Sequence, residues 1–149
     1  MVTGQMFNEG LRSSITPEWG TPSALFSALE YEFHFDLDPC ATHDNHKCSR
    51  YFTKDDDGLL REWTGRVFCN PPYGRRIGEW VNKARISAET TADLVVCLLP
   101  ARTDTAWFHE DILGVAEIRF LRGRLYFGDG KGPAPFPSMV VIFRRYPNA

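Results

Sequence analysis

The sequence is short of cysteine, of net charge and of long apolar runs, and each shortage removes a class of protein. Four cysteines, Cys40, Cys48, Cys69 and Cys97, make no disulfide framework and read as reduced core or loop thiols of a cytoplasmic protein. A net charge of −2 and a pI near 6.1 exclude a general nucleic-acid coat protein. A nucleic-acid substrate would have to meet a local basic patch. No stretch is long or apolar enough to span a bilayer, and the N-terminus has no signal-peptide pattern. Internal repeats and long low-complexity linkers are missing too. What is present suits one globular domain: 149 residues, 43% hydrophobic and 24% charged, enough to bury a real core.

The stretch around which the chain is organised is Asn70-Pro71-Pro72-Tyr73. It follows an apolar run, Arg66 to Cys69, that reads as a buried strand, and precedes a helical pattern that starts near Ile77. Pro71 and Pro72 lack backbone donors and have fixed φ, so they neither extend a ladder nor continue a helix. Asn70, before a proline, is held extended. The result is a stiff loop at the carboxyl end of a strand, where open α/β sheets bind ligands. It offers the Asn70 amide oxygen, the Pro71 carbonyl and the Tyr73 ring. These suit a planar ring with an exocyclic amino group: two oxygens accept the amino hydrogens while the phenol ring stacks. Taken alone, Asn-Pro is also a common turn.

The rest of the chain alternates strand and helix. Residues 1–14 read as a flexible polar tail, and 15–149 as a single domain. Thr21 is an N-cap candidate with Pro22 at the first helical position, and Leu25, Phe26 and Leu29 form the apolar stripe. Phe33 to Leu37 reads as a strand stopping at Asp38-Pro39-Cys40-Ala41. A strand that ends in an acid followed by small residues is a frequent nucleoside-cofactor site. Arg50 to Thr53 suits a short strand, and the acidic turn after it contains Asp57, a candidate ligand. Ile77, Trp80, Val81 and Ala84 mark a core-facing helix. Asp93 to Leu99 is the clearest buried strand; Thr103 or Asp104 can cap a helix running to about Leu113. Strands are expected at Ala116 to Leu121, Leu125 to Phe127 and Ser138 to Phe143, with a Gly/Pro-rich loop from Gly128 to Pro137. This alternation implies an α/β fold with a mainly parallel sheet covered on both faces.

Cys40, His43, His46 and Cys48 lie close together, a spacing that raises zinc. Usual structural sites separate their ligand pairs by a longer loop, so a polar loop is preferred and no metal is expected.

With these residues placed, the sequence resembles the phage-type, Dam-like DNA adenine-N6 methyltransferase family from Trp19 to Phe143. The marks are Trp19-Gly20-Thr21-Pro22, Leu37-Asp38-Pro39-Cys40-Ala41, Arg50-Tyr51-Phe52-Thr53, Asp57-Gly58-Leu59, Asn70-Pro71-Pro72-Tyr73-Gly74, Leu99-Pro100-Ala101 and Gly123-Arg124. The resemblance implies a Rossmann-like S-adenosylmethionine-dependent fold, compact and without a separate target-recognition domain. It implies S-adenosylmethionine as methyl donor, DNA as partner, and a bacteriophage or prophage setting within the bacterial cytoplasm. Asn70, Pro71, Pro72 and Tyr73 would then hold a flipped base and carry the chemistry. Trp19, Thr21, Pro22, Asp38, Pro39, Cys40 and Asp57 would line the cofactor. Arg75, Arg76, Arg122 and Arg124 would meet DNA, with Phe136 as a second stacking face or a core residue. Two features depart from the pattern. Cys40-Ala41 replaces the usual glycines after the acid, and the interval from Asp38 to Asn70 is short enough to imply a missing or shortened strand–helix unit. The loop by itself also suits cytosine N4 or a glutamine amide. A non-catalytic nucleic-acid-binding relative and an unrelated nucleotide-binding α/β protein are the other readings.

Overall fold

The central strand of the computed structural model is β4 (Ala92–Pro100), whose side chains alternate between two cores. Val95, Cys97 and Leu99 face one layer, and Leu94, Val96 and Leu98 the other. Residues 19–128 and 132–145 are described; the expected 1–14 tail and the tip of the Gly/Pro-rich loop lie outside them. Six strands form one sheet: β1 (Leu37–Asp38), β2 (Arg50–Tyr51), β3 (Gly65–Cys69), β4, β5 (Glu117–Phe120) and β6 (Ser138–Arg144), in the order β2-β1-β3-β4-β6-β5. Helix α1 (Ser23–Phe33) covers one face through Leu29 and Phe33. Helix α2 (Ile77–Thr90) covers the other through Ile77, Trp80, Val81, Ala84 and Ala88, a spacing that keeps one stripe inward.

The sheet is mixed, which corrects the expectation of a mainly parallel one. β1–β2, β1–β3 and β3–β4 are parallel, but β6 runs antiparallel to both neighbours. Its ladder with β4, from Leu94↔Arg144 to Pro100↔Ser138, is the longest in the protein. β6 enters from the carboxyl end of β5 and returns between β5 and β4, a reversal no apolar run announces. The crossovers on the other side are short. Residues 39–49 join β1 to β2 without a helix, and the β2–β3 connection holds only a 3-10 turn, Gly58–Leu60.

Other expected boundaries shift. The 33–37 strand gives way to helix through Phe33, a left-handed His34 and a two-residue β1. Residues 125–127 pair with no strand among the described residues. The segment after β4 winds as a short wide helix, Phe108–Ile112, and Thr105 Oγ1, not Thr103 or Asp104, accepts the Phe108 N–H. This segment is tied to α2 by Arg85 Nε, which donates to Asp111 Oδ1 at 2.7 Å. No helix among the described residues is long and apolar enough to cross a membrane.

Candidate active site

β1 continues outward to β2 on one side, and the chain then crosses back to β3 on the other. The crevice between the carboxyl ends of β1 and β3 is therefore a topological switch point, where open α/β sheets bind ligands. A cavity of about 620 Å³ opens there, within the range of small-molecule sites. Its walls bring together Trp19, Thr21, Asp38, Pro39, Cys40 and Asp57 from the expected cofactor set and Asn70, Pro71 and Pro72 from the central loop. Arg75 and Arg76 stand at the same cavity. Pro22, Tyr73, Arg122, Arg124 and Phe136 are not among its lining residues.

Asp38 is only 4% exposed and organises the loop that follows it. Oδ1 accepts the Cys40 N–H at 3.2 Å and Oδ2 the Lys47 N–H at 3.0 Å. Burial raises its pKa, while those backbone donors oppose the rise. The loop closes further through Ala41 N–H to Phe52 C=O and Phe52 N–H to Asp38 C=O. Of the four residues that suggested zinc, His46 stacks on Tyr51 at 4.0 Å, and His43 Nδ1 lies 2.8 Å from the Tyr51 hydroxyl. Cys48 is buried and its thiol is pushed up to about 12 by that burial. No metal-binding cluster of His, Cys, Asp or Glu occurs among the described residues.

Asp57 holds a left-handed conformation at φ 55°, and its Oδ1 accepts the Leu59 N–H. Gly58 behind it touches the first loop: a Cβ there would stand 2.1 Å from the Pro39 carbonyl oxygen. Trp63, fully buried, donates its Nε1–H to the Gly58 carbonyl at 2.8 Å. These contacts seat the Asp57 wall against the Pro39 wall. Asp57-Gly58 was visible as a motif; Lys47 was missed, because nothing local in the sequence shows its amide folding back nine positions to Asp38.

Asn70 is held by residues about fifty positions earlier. Its Nδ2 donates to the Trp19 carbonyl and to Thr21 Oγ1 at 3.0 Å. Oδ1 is buried and has no hydrogen-bond partner among the described residues. Thr21 thus spends its hydroxyl on Asn70, and α1 starts behind Pro22 without a side-chain cap. Tyr73 donates its hydroxyl to the Leu98 carbonyl at 2.8 Å, and burial raises its pKa. Its ring meets Phe127 and Phe136 edge-on, and both of these also pack on Trp19. Phe136 is 7% exposed within this aromatic cluster, under Arg102. Arg76 pairs with Glu79, Arg75 is exposed, and Arg124 donates to the Ala134 carbonyl; Arg122 is exposed beyond β5.

The cavity therefore joins a buried carboxylate at one strand end to a free amide acceptor at the next. A family profile described as DNA N-6-adenine-methyltransferase (Dam) matches residues 10–148. A DNA N-6-adenine-methyltransferase of Escherichia phage T1 is 34% identical over 110 residues, 72% of this chain and 45% of that protein. One from Haemophilus phage HP1 is 31% identical over 134 residues, 84% of this chain and 77% of that protein. The chain thus spans less than half the length of the phage T1 relative and about three quarters of the HP1 one. By the near-complete reach of that profile, the chain belongs to the DNA N-6-adenine-methyltransferase (Dam) family.

Proposed function

We propose that the protein transfers a methyl group from S-adenosylmethionine to the N6 amino group of adenine in DNA, on a Rossmann-like methyltransferase fold. The observation that carries this reading is the unpartnered, buried Oδ1 of Asn70. A buried acceptor without a donor costs on the order of 1–3 kcal/mol. An amino group entering the site supplies the missing donor. Family membership supports adenine over cytosine N4 or a protein amide.

The residues of the cavity fit a nucleoside–amino-acid cofactor. Cys40 and Ala41 let it approach the backbone after β1, and Asp38, Asp57 and Trp19 offer polar and aromatic partners. When bound, the cofactor supplies an electrophilic methyl group on sulfur. The chain's own task is to orient the acceptor. The adenine amino lone pair is delocalised into the ring, which makes it a poor nucleophile. Asn70 Oδ1 and the Pro71 carbonyl accept its two hydrogens, favouring a pyramidal nitrogen whose lone pair points at the methyl. Methyl transfer to a nitrogen held this way would leave the S–C bonding pair on the cofactor as a thioether, and the displaced amino proton would pass to solvent at the open mouth of the cavity. Positioning and preorganised acceptors supply several kcal/mol in such a step.

A stacked base cannot reach this loop, so the adenine flips out of the duplex. Tyr73, anchored through its hydroxyl to β4, offers the stacking ring, with Phe136 behind it. Arg75 and Arg76 at the cavity rim, and Arg122 and Arg124 on the later loop, would meet phosphates. The test is incubation with methyl-labelled S-adenosylmethionine and unmethylated DNA, then nucleoside analysis. Label in N6-methyladenine supports the proposal; label only in N4-methylcytosine, or none in DNA, rejects it.

A further inference from the structure

A carboxamide has two ends of nearly equal shape, and only one of them can serve the chemistry proposed for Asn70. The Trp19 carbonyl can only accept, so a flipped amide would set two oxygen acceptors face to face. Thr21 Oγ1, on a residue 8% exposed, takes the second hydrogen of Nδ2 at 3.0 Å. With both hydrogens engaged the amide cannot rotate, and Oδ1 is the end left unpartnered. We propose that Thr21 is a positioning residue that, together with the Trp19 carbonyl, locks Asn70 so that it presents only an acceptor to the incoming base. The inference rests on the reading of Asn70 above.

The lock has a consequence for specificity. A fixed Oδ1 welcomes an amino group and repels a ring carbonyl, whose lone pairs would meet its own. A freely rotating amide would accept either. The lock also joins distant parts of the chain, since the segment before α1 reaches the loop after β3. Trp19 and Thr21 line the same cavity as Asp38. This role for Thr21 differs from helix capping and from holding the cofactor, and the three separate experimentally.

Thr21→Val removes the acceptor at almost constant volume, and Thr21→Ser restores it. Three quantities are measured: the single-turnover rate of methyl transfer to DNA, S-adenosylmethionine affinity by calorimetry, and exchange of the Asn70 Nδ2 protons by NMR without DNA or cofactor. Thr21→Val is expected to slow transfer about tenfold, close to 1.4 kcal/mol, and to speed side-chain exchange by a similar factor. Cofactor affinity stays within about twofold, the spread expected where no contact is lost, and Thr21→Ser returns all three values to the parent's. Parental transfer and exchange in Thr21→Val overturn the lock. So does a variant whose loss lies in cofactor affinity with exchange unchanged. An Asn70→Ala control keeps the two readings apart: if it transfers methyl like the parent, the role of Asn70 itself falls. If it is inactive while Thr21→Val matches the parent in rate and exchange, only the role of Thr21 falls.

Discussion

Replacing Gly58 by alanine should damage fold and cofactor site together, because this glycine is where two cavity walls touch. The added Cβ would lie 2.1 Å from the Pro39 carbonyl oxygen and 3.1 Å from the edge of Trp80. Carbon–oxygen contact needs more than 3 Å, so the turn must retreat from the first loop by about an ångström. Overpacking of this kind costs about 1–3 kcal/mol. The same retreat stretches the buried bond from Trp63 Nε1 to the Gly58 carbonyl, a further 1–3 kcal/mol or so if it breaks. A total of about 2–6 kcal/mol lowers the melting temperature by roughly 5–20 °C for a domain of this size. Asp57 moves with the turn, so S-adenosylmethionine affinity should fall about tenfold or more. Urea unfolding and calorimetry read the two effects. Gly78→Ala in α2 is the control: its Cβ meets Trp107 at 3.5 Å, ordinary contact, and stability should hold or rise by up to about 1 kcal/mol. If Gly58→Ala unfolds and binds cofactor like the parent, the close contact between the walls is wrong.

Further outcomes follow from the same geometry. Asp38→Ala should weaken S-adenosylmethionine binding about tenfold, roughly 1.4 kcal/mol, in a protein that remains folded; unchanged calorimetric affinity rejects its role. Iodoacetamide should modify Cys40, which is half-buried at the cavity, before Cys48, Cys69 and Cys97, which are buried, and saturating cofactor should slow that labelling. Labelling of Cys40 at the same rate with and without cofactor would move the cofactor elsewhere. Arg119 donates to Glu32 and Glu117 and holds both carboxyls below their ordinary 4.5. Depressed acids contribute stability above that value and lose it as pH falls through the lower, folded one. Arg119→Ala should therefore cost on the order of 1 kcal/mol at pH 7 and progressively less as pH falls below 4.5; a loss that does not change with pH contradicts the pairing.

The order of strands, loops and helices was legible because periodicity and the Asn-Pro-Pro and Asp-Pro breaks are local signals. They sufficed to set Asp38 and Asn70 each at the end of a strand; that those strands are neighbours is seen only in the pairing of β1 with β3. Strand direction was not legible: β6 is apolar on both faces, and its residues would read the same in a parallel sheet. Nor was ladder length, since β1 and β2 pair over only two residues although their flanking sequence looks like strand. Thr21 shows the limit of local propensity. It has the chemistry of a cap, but an amide 49 positions away takes its hydroxyl. Phe136 is similar: an aromatic residue in a loop reads as a stacking face or as core, and burial against Trp19 and Tyr73 depends on a fold the sequence does not spell out.

The central claim is that Asn70 acts on the base and not on the cofactor. Asn70→Ala, assayed beside the parent for S-adenosylmethionine affinity and for single-turnover methylation of DNA adenine, tests it most directly. The account predicts methyl transfer lost by a factor of about a hundred or more, as when a preorganised hydrogen-bonding group is removed, with cofactor affinity within a few-fold. Methylation at the parental rate, or a matching loss of cofactor affinity, would contradict it.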